Sequence, residues 1–69
     1  MKVKITKIGI KDSFHNDAYL IGRVGEGDFH KNDGGWYGGG FIPDETTDID
    51  PVGGYYFYNV RFEPVEHLK

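Results

Sequence analysis

GGWYGGGFIP, residues 34–43, sets Trp36 and Tyr37 at the head of three consecutive glycines. Read as a strand, it puts Trp36 and Ile42 on one side and Tyr37 and Phe41 on the other, with Gly38, Gly39 and Gly40 between them. Three glycines in a row weaken a strand through backbone entropy. They are explained if the sheet bends sharply there, or if another group must lie flat against the backbone. Pro43 has no N–H to donate and ends the pairing.

On the N-terminal side, GEGDFHKNDGG (residues 25–35) is expected to turn the chain, because Asn32-Asp33-Gly34-Gly35 supplies the residues that tolerate positive φ in tight hairpins. The strand entering that hairpin is expected over residues 19–25, YLIGRVG, with Gly22 and Gly25 marking a bend. Before it, KDSFHNDA (residues 11–18) reads as a loop with room for one helical turn. The first strand is KVKITKIGI, residues 2–10. Val3 and Ile5 lie on one parity and Ile8 and Ile10 on the other, so a β-bulge near Thr6-Lys7 would bring both pairs to one core.

On the C-terminal side, DETTDIDPVGG (residues 44–54) is an acidic loop, and YYFYNVRFE (residues 55–63) is the strongest strand in the chain. Its expected core face is Tyr56, Tyr58, Val60 and Phe62, leaving Tyr55, Phe57, Asn59, Arg61 and Glu63 opposite. Residues 63–69 are expected to fray or to add an edge strand. Four strands with glycine-rich turns and no helix-period segment predict an all-β domain over residues 1–69. Its architecture is a small four- to five-stranded, strongly bent antiparallel sheet or barrel.

Composition limits what such a domain can do. The chain has 69 residues and no cysteine, which excludes disulfides and thiolate metal sites, so packing must hold it together. The aromatic share of 16% supplies that packing, since each ring buries about 150–250 Å². A net charge of −3 opposes direct nucleic-acid binding through phosphates. Ile8-Gly9-Ile10 is too short for a signal-peptide core or a membrane span, so a cytoplasmic location and no membrane partner are expected.

Chemical motifs are sparse. His15, His30 and His67 are scattered and read as solvated loop residues rather than as zinc ligands. Asp44, Glu45, Asp48 and Asp50 lack the glycine and terminal glutamate of a helix-flanked calcium loop; a solvated turn is the better reading and calcium stays an alternative. Ser13 beside His15 has no orienting third group in view, and Glu26, Asp28 and Glu63 have no cleft to act in, so neither an enzyme nor a cofactor is expected. The aromatics remain. Both faces of Tyr55-Tyr56-Phe57-Tyr58 are aromatic, so either the barrel closes over Tyr55 and Phe57 or they join an exposed patch. The expected binding set is Trp36, Tyr37, Tyr55 and Phe57, rimmed by Asp44, Glu45 and Asp48.

Trp36-Tyr37 and Gly40-Phe41-Ile42-Pro43 resemble the paired aromatic and the Gly-x-hydrophobic-Pro segment of Src-homology-3 domains, which that family separates by a hairpin. The resemblance implies a Src-homology-3-like barrel. In it Trp36 and Pro43, with Tyr55 or Tyr58, would line a groove for proline-rich peptide and the acidic loop would select basic flanks. The wider pattern of Lys/Ile strand, Leu-Ile-Gly-Arg-Val-Gly turn and closing Tyr-Phe-Tyr-x-Val strand is similar to small proteins of Gram-positive bacteria and their phages. The leading expectation is therefore a non-catalytic module that binds a protein or peptide, with homo-oligomers compatible. The alternatives are a binder of a small, nucleotide-like molecule and a phage-type acidic inhibitor of a host nucleic-acid enzyme.

Overall fold

Four antiparallel strands close into a ring in the computed structural model, which describes residues 1–12 and 17–65, without the side chains of 17 and 18. They are β1 (Lys2–Ile8), β2 (Val24–Lys31), β3 (Tyr37–Pro43) and β4 (Tyr55–Pro64), each hydrogen-bonded to the next in sequence, with β4 returning to β1. Helical structure among the described residues is confined to one turn, α1 (Asp17–Leu20), and two 3₁₀ turns, Ile10–Asp12 and Asp33–Gly35. The expected all-β class and bent, barrel-like sheet are present.

The bulge expected in β1 is there. Ile5 pairs with Phe62 but Lys7 pairs with Arg61, so one extra residue sits on β1, and Val3, Ile5 and Ile8 all reach the core. Ile10 does not; it lies on the 3₁₀ turn, 88% exposed. The Asn32–Gly35 hairpin also forms where expected, with positive φ at Gly34 and Gly35.

The second strand differs from expectation. Tyr19 and Leu20 belong to α1, and β2 starts at Val24 and runs through the segment read as a turn. Alternation decides it. Glu26, Asp28 and His30 point outward, while Gly25 and Gly27 are buried, because neighbouring groups crowd those positions too closely for a side chain: a Cβ on Gly25 would lie 2.3 Å from the Ile42 carbonyl oxygen. Leu20, released from the sheet, packs fully into the core with Val3, Ile5, Phe41, Phe57 and Val60. Gly39 marks the sharpest requirement for glycine on β3, with φ +139° and the position of a Cβ only 2.1 Å from the Asp28 carbonyl oxygen.

The fourth strand reverses half of its expected core face. Phe57 is fully buried, whereas Tyr56 and Tyr58 are 58% and 55% exposed; Val60 is buried and Phe62 partly so. The faces switch because β4 carries its own bulge: Gly39 pairs with Phe57 but Tyr37 with Val60, so three steps on β4 oppose two on β3. Strict alternation could not have shown this. The bulge is fully satisfied by groups elsewhere in the chain. Both oxygens of the buried Asp12 carboxylate accept the Tyr58 N–H at 2.9 and 3.1 Å, and one accepts the Asn59 N–H at 2.8 Å. The Asn59 carbonyl accepts the Gly9 N–H, and the Tyr58 carbonyl accepts the Asn32 side-chain amide, each at 2.8 Å.

Near the chain ends, the Met1 amino group pairs with Glu26, and the Val65 N–H donates to the Lys2 carbonyl at 3.0 Å. No helix among the described residues is long and apolar enough to cross a membrane.

Candidate functional site

The β4 bulge turns Tyr56 and Tyr58 onto the outside of the barrel, where their rings meet edge to face at 5.9 Å. Beside them on β3 the outward positions are Gly38 and Gly40, and across these on β2 stand His30 and Asp28. The glycines keep the floor low. The Asn32 amide crosses Gly38 to reach β4, which is why a Cβ at Gly38 would lie 3.1 Å from its Nδ2. Above Gly40 the space is open, with the nearest group to a Cβ at 3.9 Å. This is the physical reason for glycine beside the aromatics.

The resulting cleft, about 610 Å³, runs from Tyr56 and Tyr58 past Asn59 to Trp36, with Lys11, His30, Lys31, Asn32 and Asp33 along its border. Trp36 is half-buried and has two cations near its ring: the Arg61 guanidinium lies 4.2 Å and the Lys7 ammonium 5.9 Å from the ring centroid. Arg61 in turn donates to the Gly34 carbonyl at 3.2 Å, tying the ring's support to the hairpin. The cleft thus brings together exposed aromatic faces and basic side chains.

The expected site residues are distributed differently. Trp36 lines this cleft, and Phe57 lies beneath it with no exposed surface to offer a partner. Tyr37 turns away into a second, more apolar hollow of about 580 Å³ with Phe29 and Phe62, its ring edge-on to Phe62 at 4.8 Å. Tyr55 turns inward as well, stacked on Phe57 at 6.2 Å, and its hydroxyl donates to Asp50 at 2.6 Å. Pro43 is buried at the far end of β3, so it does not form a groove with Trp36.

The expected acidic rim lies at that far end too, about 20 Å of strand away from Trp36 at the usual rise per residue. Asp44 pairs with Lys2, the Glu45 carbonyl accepts from Arg23 at 3.0 Å, and Asp48 is exposed. Asp50 is the organising group there. Its side chain is almost wholly buried and accepts from Arg23 at 2.9 Å, from the Tyr55 hydroxyl, and from the Thr47 N–H at 2.8 Å. The Arg23 guanidinium also sits 4.5 Å from the Tyr19 ring centroid. Hydrogen bonds from Arg23 and Tyr55 hold the Asp50 carboxyl well below the usual carboxylate range. Burial, then the hydrogen bond to Asp50, pushes the Tyr55 hydroxyl up to about 12. The Asp50 carboxylate in turn raises the Arg23 guanidinium above its ordinary value.

Among the described residues no group of three or more His, Asp or Glu side chains is placed to hold a metal ion. His15 and His67, with Ser13, lie outside the described residues. Sequence reasoning missed Asp12, Tyr56, Lys11 and Lys31, and named Tyr58 only as an alternative to Tyr55 in the groove that the Src-homology-3 resemblance implies; the one available signal was that both faces of residues 55–58 are aromatic, which a single core cannot absorb. Compared with known protein families, with curated proteins and with solved structures, the chain matches none.

Proposed function

We propose that the protein is a non-catalytic binding module that recognises a segment of another protein or a peptide through the Trp36–Tyr56–Tyr58 face. The observation that carries this reading is the outward pair Tyr56 and Tyr58, more than half exposed above a glycine floor. Tyrosine offers a rigid apolar plate and a hydrogen-bonding tip for little lost entropy, which suits recognition. A buried carboxylate, Asp12, is committed to the bulge that presents them, so the exposure is built into the fold.

A peptide fits better than a small molecule. Pockets for small ligands bury about 70–90% of the ligand surface, whereas this cleft is floored by strand and walled by exposed rings. The acidic loop, anchored at the other end of β3 by Asp50, plays no part in this reading.

Selection of a random peptide display library against the immobilised protein tests the reading. Enriched peptides should bind the wild type saturably and lose about tenfold or more in affinity for Tyr58→Ser, which circular dichroism should show folded. Recovery of no peptide, or of peptides that bind Tyr58→Ser equally well, would overturn it.

A further inference from the structure

We infer that the segment this cleft recognises is acidic, an inference that rests on the peptide-binding reading above and adds the ligand's charge to it. The chain as a whole carries −3, yet the cleft has the opposite balance: Lys11 and Lys31 at its border, with Lys7 and Arg61 beside Trp36, stand against Asp33 at the border, the buried Asp12 beneath Tyr58 and Asn59, and Asp28 across Gly40. Among the described residues neither Lys11 nor Lys31 has an ion-pair partner, while Lys2, Lys4 and Arg23 all do. Both Lys7 and Arg61 lie over the Trp36 ring, at the same end of β3.

The acids of residues 44–50 are gathered at the other end, about 20 Å along the strand and so about two Debye lengths away at physiological salt. Their repulsion is therefore screened at the cleft, and the local cations set the sign of the field there. A carboxylate-bearing side chain laid along the cleft meets ammonium groups at its border while its apolar neighbours meet Tyr56, Tyr58 and Trp36. A long polyanion fits less well, because its charge continues past the cleft onto Asp28, Glu26 and the rest of an acidic surface. Short-range complementarity with overall repulsion favours a short acidic peptide over nucleic acid.

The test uses the peptides recovered from the random library, resynthesised with a fluorophore and measured by anisotropy. The inference expects Asp and Glu to be enriched among them. Replacing those residues by Asn and Gln, or using the double variant Lys11→Glu, Lys31→Glu, should weaken binding about tenfold or more, and so should salt raised to about 0.5 M. Asp48→Lys, at the remote loop, should leave affinity unchanged. A second double variant, Lys11→Gln, Lys31→Gln, should weaken binding in the same direction by less, which separates lost attraction from misfolding. Groove-dependent peptides that are neutral or basic would overturn the acidic inference and leave the binding function standing; failure to recover any peptide strikes the function itself. Tighter binding of an oligothymidylate than of the best acidic peptide would also overturn the inference.

Discussion

Asp12 and Asp50 are both buried carboxylates, and they do opposite things with their oxygens. Asp12 accepts from the main chain of β4, while Asp50 accepts mostly from side chains, those of Arg23 and Tyr55, with one main-chain donor at Thr47. The first holds an irregularity inside the sheet, and the second holds a loop against its outside. Main-chain donors cannot turn away to water when their acceptor is removed, whereas an arginine or a phenol can. Two carboxylates withdrawn from solvent therefore differ in structural reach: loss of Asp12 should be felt throughout the barrel and loss of Asp50 mainly at one end.

The largest effect should come from Asp12→Ala, which strands the Tyr58 and Asn59 N–H groups; a cost of about 3–5 kcal/mol is expected for two unsatisfied buried donors that had faced a charged acceptor. For a domain this small that approaches the whole folding stability. Urea unfolding should show it, and Asp12→Asn, which keeps an acceptor oxygen, should recover part of the loss. A midpoint unchanged in Asp12→Ala would show that the β4 bulge does not depend on its carboxylate.

Gly39→Ala comes next, at about 2–4 kcal/mol, because the residue must either leave φ +139° or press its Cβ into the Asp28 carbonyl. Its neighbour supplies the control. Gly40→Ala meets nothing nearer than 3.9 Å and should fall within about 1 kcal/mol of wild type, by the same denaturation measurement.

The Asp50 end should reveal itself through pH. Its carboxyl is depressed in the folded chain, so it contributes stability that is present above the ordinary value near 4 and is lost as pH falls toward the lower folded value. Tyr55 runs the other way: raised to about 12, it contributes stability present below about 10 and lost as pH rises through 12. Thermal unfolding followed across pH should therefore show an acid limb that flattens in Asp50→Asn and an alkaline limb that flattens in Tyr55→Phe. Tyr58→Ser should cost no more than about 1 kcal/mol, since the ring is more than half exposed and loses chiefly its edge-to-face contact with Tyr56.

Much of the barrel was legible in the residues, and the failures have identifiable causes. The parity break at Thr6-Lys7 revealed the β1 bulge because lysine and threonine on one side contrast with isoleucine on the other. No such contrast exists over Tyr55–Tyr58, where every residue is aromatic, and the phase is chosen instead by Asp12, 46 positions earlier in the chain. The position of β2 was hidden for a different reason. Gly25 and Gly27 signal a turn by propensity, but in this barrel they serve as strand positions too crowded for a side chain, while the apolar Tyr19-Leu20 pair, which signals strand, folds as a helical turn. Of the residues expected to bind, Trp36 borders the open cleft while Tyr37, Tyr55 and Phe57 turn inward; the outward turn of Tyr56 and Tyr58 depends on that long-range hydrogen bond.

Ring closure through β1 and β4 also bears on how the chain gets to its native state. β1 finds its second neighbour only in β4, so the ring cannot close until the chain has been made through about residue 64. Contacts of such long sequence separation slow the search, and folding on a millisecond-to-second scale is the expected behaviour for this topology. A nascent chain halted within residues 44–54 would hold a β2–β3 hairpin and an unmatched β1, with the tyrosine-rich strand that seals the barrel still missing.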